Sequence, residues 1–207
     1  MIVTGIEEMS RSRVRIYLDE SFAFVLYKGE LRLYGIKEGS ELGEDVYEQL
    51  IEEVLTKRAT LRSMNLLKSR PYTETQLRDK LIQGEYPLKC INAALAYVKS
   101  FHYVDDDRYA QDYIENQQGK KSRRMIEMDL IRKGISSDQI QNAFAAQEEM
   151  GNTPDEEALA RQWMKKKHFD PERADYPERR KMYAFLYRKG ISGSTLRRIF
   201  SEMADEY

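Results

Sequence analysis

One cysteine, two histidines, one tryptophan and five prolines are all that 207 residues contain of these types. With Cys90 alone there is no internal disulfide framework, and a reducing compartment fits. His102 and His168 have no carboxylate or thiol companions at ligand spacing, so no metal cage is expected and no cofactor is implied. Glycine-rich phosphate loops, zincin helices and nucleophile elbows are also missing, so the chain is expected not to be an enzyme. No apolar run approaches the roughly 20 residues that cross a bilayer. The opening "MIVTGIEEMS" has neither the basic nor the apolar region of a signal peptide. A cytoplasmic protein with no membrane partner is expected.

Charge is what the sequence has in excess. Charged residues make up 33% of the chain against 41% hydrophobic ones, a balance that suits an extended helical array better than an enzyme built around one deep core. The net charge of −1 hides an uneven distribution. Residues 1–57 hold 7 basic and 12 acidic side chains, whereas residues 161–198 hold 12 basic and 4 acidic ones. An acidic partner near the C-terminal part follows from that asymmetry.

The first forty residues differ from the rest. Val14, Ile16 and Leu18 alternate with Arg13, Arg15 and Tyr17, and Asp19-Glu20-Ser21 offers a turn. A second run spans Phe22–Tyr27, and a third, after Lys28-Gly29-Glu30, spans Leu31–Ile36. Period-two alternation of β-branched and aromatic residues predicts a small antiparallel meander leaning on a neighbouring helix. From Glu44 the period becomes helical, through Val46, Leu50, Val54 and Leu61 toward Ser69, before Pro71 stops it.

The pentapeptide RKGIS occurs twice, at Arg132–Ser136 and Arg188–Ser192. Around it, "LIQGEYPLKCINAAL", "LIRKGISSDQIQNAF" and "LYRKGISGSTLRRIF" superpose without gaps at shifts of 49 and 56 residues. Apolar positions coincide at Leu81, Leu130 and Leu186; at Tyr86, Ile135 and Ile191; at Ile91, Ile140 and Leu196; and at Leu95, Phe144 and Phe200. Leu77, Ile126 and Met182 match one turn upstream. Spacing near 50 residues is that of tandem supersecondary units.

Gly134 and Gly190 fall where a helix ends in a left-handed residue, with Ile135 or Ile191 folding back on Leu130 or Leu186. Ser136 and Ser192 then cap the next helix. In the first unit Glu85 holds the aligned position and Gly84 precedes it, so that turn is expected to be shifted or differently closed. The helix over 58–69, "VDDDRYAQDYIENQQ" (104–118) and "PDEEALARQWMKKKH" (154–168) supply the third helix of each unit. The expected fold is mainly α: a tandem array of three three-helix, helix-turn-helix-like repeats, elongated and curved, behind a small N-terminal antiparallel β-meander. The segments are residues 1–43, 44–103, 104–150 and 151–207.

Asp105-Asp106-Asp107 reads as a helix start before a magnesium site. Cys90, with Ile91 and Ala94 nearby, reads as a small buried hydrophobe, and His102, between Phe101 and Tyr103, as packing. The basic residues are more informative. Lys120, Lys121, Arg123 and Arg124 open the second helix of the second unit, and Arg132 and Lys133 close it. Arg179, Arg180, Lys181, Arg188 and Lys189 match them in the third unit, and Lys165, Lys166, Lys167, Arg197 and Arg198 add to the same end. Lys133 and Lys189 alone read as cations complementing a helix C-terminus. Taken together, clusters at the same place in consecutive units read as a binding stripe for a polyanion or a polymeric partner.

Three stretches, "SRPYTETQLRDKL", "FHYVDDDRYAQDYIENQQGKKSRRMIEMDLIRKGISSDQIQNAF" and "YPERRKMYAFLYRKGISGSTLRRIF", resemble the RecX family of regulatory proteins over about residues 58–200. The pattern departs from the family at Gly84, where the glycine is displaced, and at Ser122, where proline is common. The resemblance implies a non-enzymatic, monomeric modulator of the RecA recombinase that lies in the helical groove of the RecA–DNA filament. It would inhibit strand exchange, ATP hydrolysis and co-protease activity, with its basic surface facing RecA, single- or double-stranded DNA, or both. Two alternatives remain open, a sequence-specific helix-turn-helix DNA-binding regulator and a passive helical adaptor.

Overall fold

A computed structural model of the chain describes residues 1–152, 155–171 and 173–202, apart from the side chain of residue 202. Two compact units emerge, Met1–Asp105 and Asp106–Tyr207. The predicted helix start at Pro154 and the predicted end of the last segment, 203–207, lie outside the described residues.

The first unit opens with three antiparallel strands in the order β1 (Val3–Glu8), β2 (Arg13–Leu18) and β3 (Ser21–Tyr27). Leu18 pairs with Ser21, which leaves Asp19 and Glu20 as a two-residue loop at φ 46° and 67°. Two successive positive φ angles twist a hairpin in the sense its strands prefer. The loop is tied to β1, because Ile2 N–H donates to Asp19 Oδ1 at 2.8 Å and Glu20 N–H to Thr4 Oγ1 at 2.9 Å.

The meander is therefore real, but its third strand is not Leu31–Ile36. That segment belongs to a short helix, α1 (Lys28–Leu33), and β1 takes its place in the sheet. The alternation in "LRLYGI" misled because Leu31 and Tyr34 pack inward one helical turn apart while Leu33 stays outside. Glu30 fixes the helix start by accepting from Tyr27 N–H at 2.7 Å. Gly35, at φ 65°, ends it, and Ile36 N–H donates to the Leu31 carbonyl at 2.9 Å.

The long helix runs as α2 (Glu44–Gln49), a π-helical stretch over Leu50–Leu55, and α3 (Thr56–Leu67). The wider π turn moves the buried row from Leu50 and Val54 onto Ile51, Leu55, Ala59 and Ser63. Leu61, expected inside, is consequently 62% exposed. With α4 (Glu74–Gln83) and α5 (Leu88–Ser100), α3 makes the first three-helix repeat. Phe24, Leu26 and Ile16 of the sheet share one core with Leu55, Leu81, Ile91 and Leu95, so the sheet leans on the helices as expected. Cys90 is buried there, its Sγ 3.5 Å from the Ile51 carbonyl, and desolvation raises its thiol pKa.

The second unit holds α6 (Asp106–Gln117), α7 (Arg123–Arg132) and α8 (Ser137–Glu149), then α9 (Glu156–Lys166), α10 (Tyr176–Arg188) and α11 (Gly193–Glu202). Each trio has its own core, Ile114, Ile126, Leu130 and Phe144 in one and Ala160, Leu186, Leu196 and Ile199 in the other. Ser122 stitches them together. It is 1% exposed, caps α7 by accepting from Met125 N–H, and donates its hydroxyl to the Lys189 carbonyl at 2.7 Å.

Candidate partner-binding surface

The three joints are built alike. Glu85 N–H donates to Ile82 and Tyr86 N–H to Leu81; Gly134 to Ile131 and Ile135 to Leu130; Gly190 to Tyr187 and Ile191 to Leu186, all at 2.8–3.3 Å. The middle residues have φ 59°, 86° and 83°. The first joint is thus neither shifted nor differently closed. Glu85 occupies the left-handed position despite its Cβ, and Arg15 grips its carboxylate through Nε at 3.0 Å and a terminal nitrogen at 2.8 Å. His102 and His168 do the same work at the ends of α5 and α9, at φ 54° and 53°. His102 is exposed, between exposed Phe101 and Tyr103, rather than packed. The Asp106–Asp107 carboxylates line the first turn of α6, and among the described residues no group of three acids, histidines or cysteines could hold a metal.

The structure sorts the predicted cations by what they touch. Lys121 pairs with Asp129 at 2.6 Å and reaches the Tyr113 hydroxyl at 3.2 Å; these contacts raise its pKa, and Lys121 in turn lowers that of Asp129. Arg123 bonds Glu127 and Glu148 and lies over the Phe144 ring at 4.3 Å. Arg179 donates to the Pro171 and Ala174 carbonyls at 2.9 and 3.1 Å, clamping the loop before α10. The repeated joint lysines rest on rings, Lys133 over Tyr113 at 5.2 Å and Lys189 over Trp163 and Phe185 at 5.8 Å. Lys167 sits over Phe185 at 5.3 Å. Lys120 bonds the Asn116 carbonyl, Arg132 pairs with Asp129 and Arg198 with Glu157.

Arg124, Lys165, Lys166, Arg180, Lys181, Arg188 and Arg197 are exposed and make no ion pair among the described residues. Their charge is left facing solvent. A recess of about 530 Å³ between the start of α7 and the α10–α11 joint is lined by Arg124, Tyr187, Gly190 and Ser192, among others. Sequence reasoning did not single out Ser122 as the tie between repeats. Its only local signal was its place as the cap of α7.

Repeated three-helix units with matching left-handed joints, preceded by a small sheet, define a tandem helical-repeat protein. Family models for the first, second and third three-helix domains of RecX match residues 59–97, 105–143 and 155–200. The chain is 28% identical over 208 residues to the regulatory protein RecX of Clostridium acetobutylicum, covering 97% of both. It is 26% identical over 216 residues to that of Clostridioides difficile, covering 100% of this chain and 98% of the relative. Among solved structures, a crystal structure of regulatory protein RecX superposes with a TM-score of 0.62 at 22% identity, covering 97% of this chain and 98% of the other. RecX from Lactobacillus salivarius superposes with a TM-score of 0.58 at 18% identity, over 72% of this chain and 97% of the other. The chain belongs to the RecX family of regulatory proteins.

Proposed function

We propose that this chain regulates the RecA recombinase by binding the RecA–DNA filament in the cytoplasm as a monomer, holding down strand exchange, ATP hydrolysis and co-protease activity without catalysis of its own. The single observation that carries the reading is the repetition itself. Units of one design, each with its own core and the same joint, suit a partner that repeats along a polymer. Many modest contacts on a linked array add up through effective concentration. The uncommitted cations Arg124, Arg180, Lys181, Arg188 and Arg197 supply attraction toward acidic protein or DNA, while Lys121, Arg123 and Arg179 serve mainly to hold their own repeats. A helix that reads duplex DNA is poorly matched by α8, whose sequence SDQIQNAFAAQEE carries no lysine or arginine.

RecA ATPase on single-stranded DNA, measured with substoichiometric amounts of this chain, tests the proposal. Turnover should fall, and the chain should sediment with the filament. Unchanged turnover with no co-sedimentation rejects it. A consensus recovered by site selection on random duplex DNA would favour the helix-turn-helix reading instead.

A further inference from the structure

We infer that the second helix of every repeat carries a protein-docking stripe centred on one exposed apolar side chain: Ile82 on α4, Ile131 on α7 and Tyr187 on α10. This rests on the function proposed above and names the contact that function would use.

The three residues are equivalent by their joints, since each immediately follows the buried leucine and lends its carbonyl to the left-handed residue. That bond uses the backbone alone, so the joint itself asks nothing of the side chain. Yet the side chains are large and apolar, and 53%, 55% and 52% exposed. Isolated exposed hydrophobes need no explanation. Recurrence at one repeat position is different, because neighbouring positions of the same helices do not share it. Seven residues earlier stand Thr75, Arg124 and Arg180, and three residues earlier stand Asp79, Met128 and Ala184, all exposed. Among the exposed positions of these helices, only the one before the joint keeps its apolar character in all three repeats.

The surroundings select the occupant. On α7, Arg124, Met128, Ile131 and Arg132 follow a spacing that puts them on one helix face, and on α10 Arg180, Ala184, Tyr187 and Arg188 do likewise. All eight are exposed. Arg124 and Tyr187 also line the same recess, which joins the stripes of the second and third repeats. On α7 and α10 an apolar centre flanked by guanidinium groups complements an apolar recess rimmed by carboxylates. Single-stranded nucleic acid fits less well, because the aliphatic Ile82 and Ile131 offer no ring for base stacking and the α4 stripe carries Asp79 and no cation. The partner is therefore a protein surface that repeats, and the stripe is the knob each repeat offers it.

Ile82→Gln, Ile131→Gln and Tyr187→Gln, singly and combined in the full chain, test this. Binding is measured to RecA filaments on single-stranded DNA and, separately, to the bare DNA. Each single change should weaken filament binding about three- to ten-fold, and the combination at least about 100-fold. Bare-DNA affinity and melting temperature should stay unchanged. A combined variant that binds the filament as tightly as the unchanged chain overturns the inference alone. A parallel loss on bare DNA also overturns it, by assigning the stripe to nucleic acid. Should the combined variant unfold, three single variants that fold and bind normally overturn it equally. An unchanged chain that ignores the filament defeats the functional proposal itself.

Discussion

Arg15 on β2 holds the carboxylate of Glu85, 70 positions away, with contacts at 2.8, 3.0 and 3.1 Å. Glu85 is the left-handed residue that turns the chain between α4 and α5. The sheet thereby fastens the first repeat at the one joint that lacks glycine in its left-handed position. A non-glycine residue there costs about 1–2 kcal/mol of backbone strain, and the ion pair helps to keep it in place.

Replacing Arg15 with methionine is expected to lower the melting temperature of the chain. Adding Glu85→Gly to that variant should restore part of the loss, since glycine takes the positive φ without a Cβ clash. Thermal unfolding of the two single variants and the double variant checks this. Additive effects would show that the pair and the turn are independent.

Leu130 is fully buried in the core of the second repeat, so Leu130→Ala should cost about 2–5 kcal/mol through the cavity it leaves. Arg180→Ala and Lys181→Ala should each stay within about 0.5 kcal/mol. Arg179→Ala should destabilise more than either, because it frees the Pro171 and Ala174 carbonyls. Denaturant midpoints of the four variants separate core, clamp and free cation.

Gly190 combines φ 83° with close approach to the Ser122 hydroxyl, where an added Cβ would collide. Gly119, at φ 69°, faces open space. Both alanine variants pay the left-handed penalty of about 1 kcal/mol or more, but Gly190→Ala should cost clearly more. Equal midpoints would show that the Ser122–Lys189 tie contributes nothing to the second unit.

Asp129 is held below its ordinary carboxylate pKa by hydrogen bonds from Lys121 and the Tyr113 hydroxyl. A depressed folded pKa means that the unfolded chain takes up the proton first as the pH falls. The stabilisation is therefore complete above the unfolded value and is lost as pH drops through the folded one. Asp129→Asn should be less stable than the unchanged chain at neutral pH, and the gap should close on acidification below about pH 4. Urea midpoints across that range give the comparison, and a gap independent of pH would refute it.

Arg180→Ala combined with Arg188→Ala should leave melting unchanged and weaken filament binding while flattening its salt dependence. Titrations at low and high ionic strength provide the measurement. An unaltered salt slope would remove these two cations from the interface.

Much of the helical part was readable because its signals are local. The leucine, the left-handed residue and the apolar residue after it lie within a few positions, and the hydrophobic period continues on either side. The sheet was read less well. "VTGIEE" of β1 shows almost no alternation, since only Val3 is deeply buried, while "LRLYGI" alternates by chance within a helix. Leu61 was misplaced because the π turn at Leu50–Leu55 shifts the helix phase, a change that composition does not announce.

Of the basic residues, their number and their recurrence were plain, but their roles were not. Lys121, Arg123 and Arg179 differ from Arg124, Arg180 and Lys181 only in what the folded chain brings beside them.

The sequence by itself determined that three like helical units follow one another and where each turns, since backbone conformation at a helix end depends on a handful of consecutive residues. Only the tertiary structure decided that Arg15 meets Glu85, that Ser122 meets Gly190, and which cations stay without an ion pair among the described residues. Those outcomes depend on distances between residues far apart along the chain, which are set by how the cores pack.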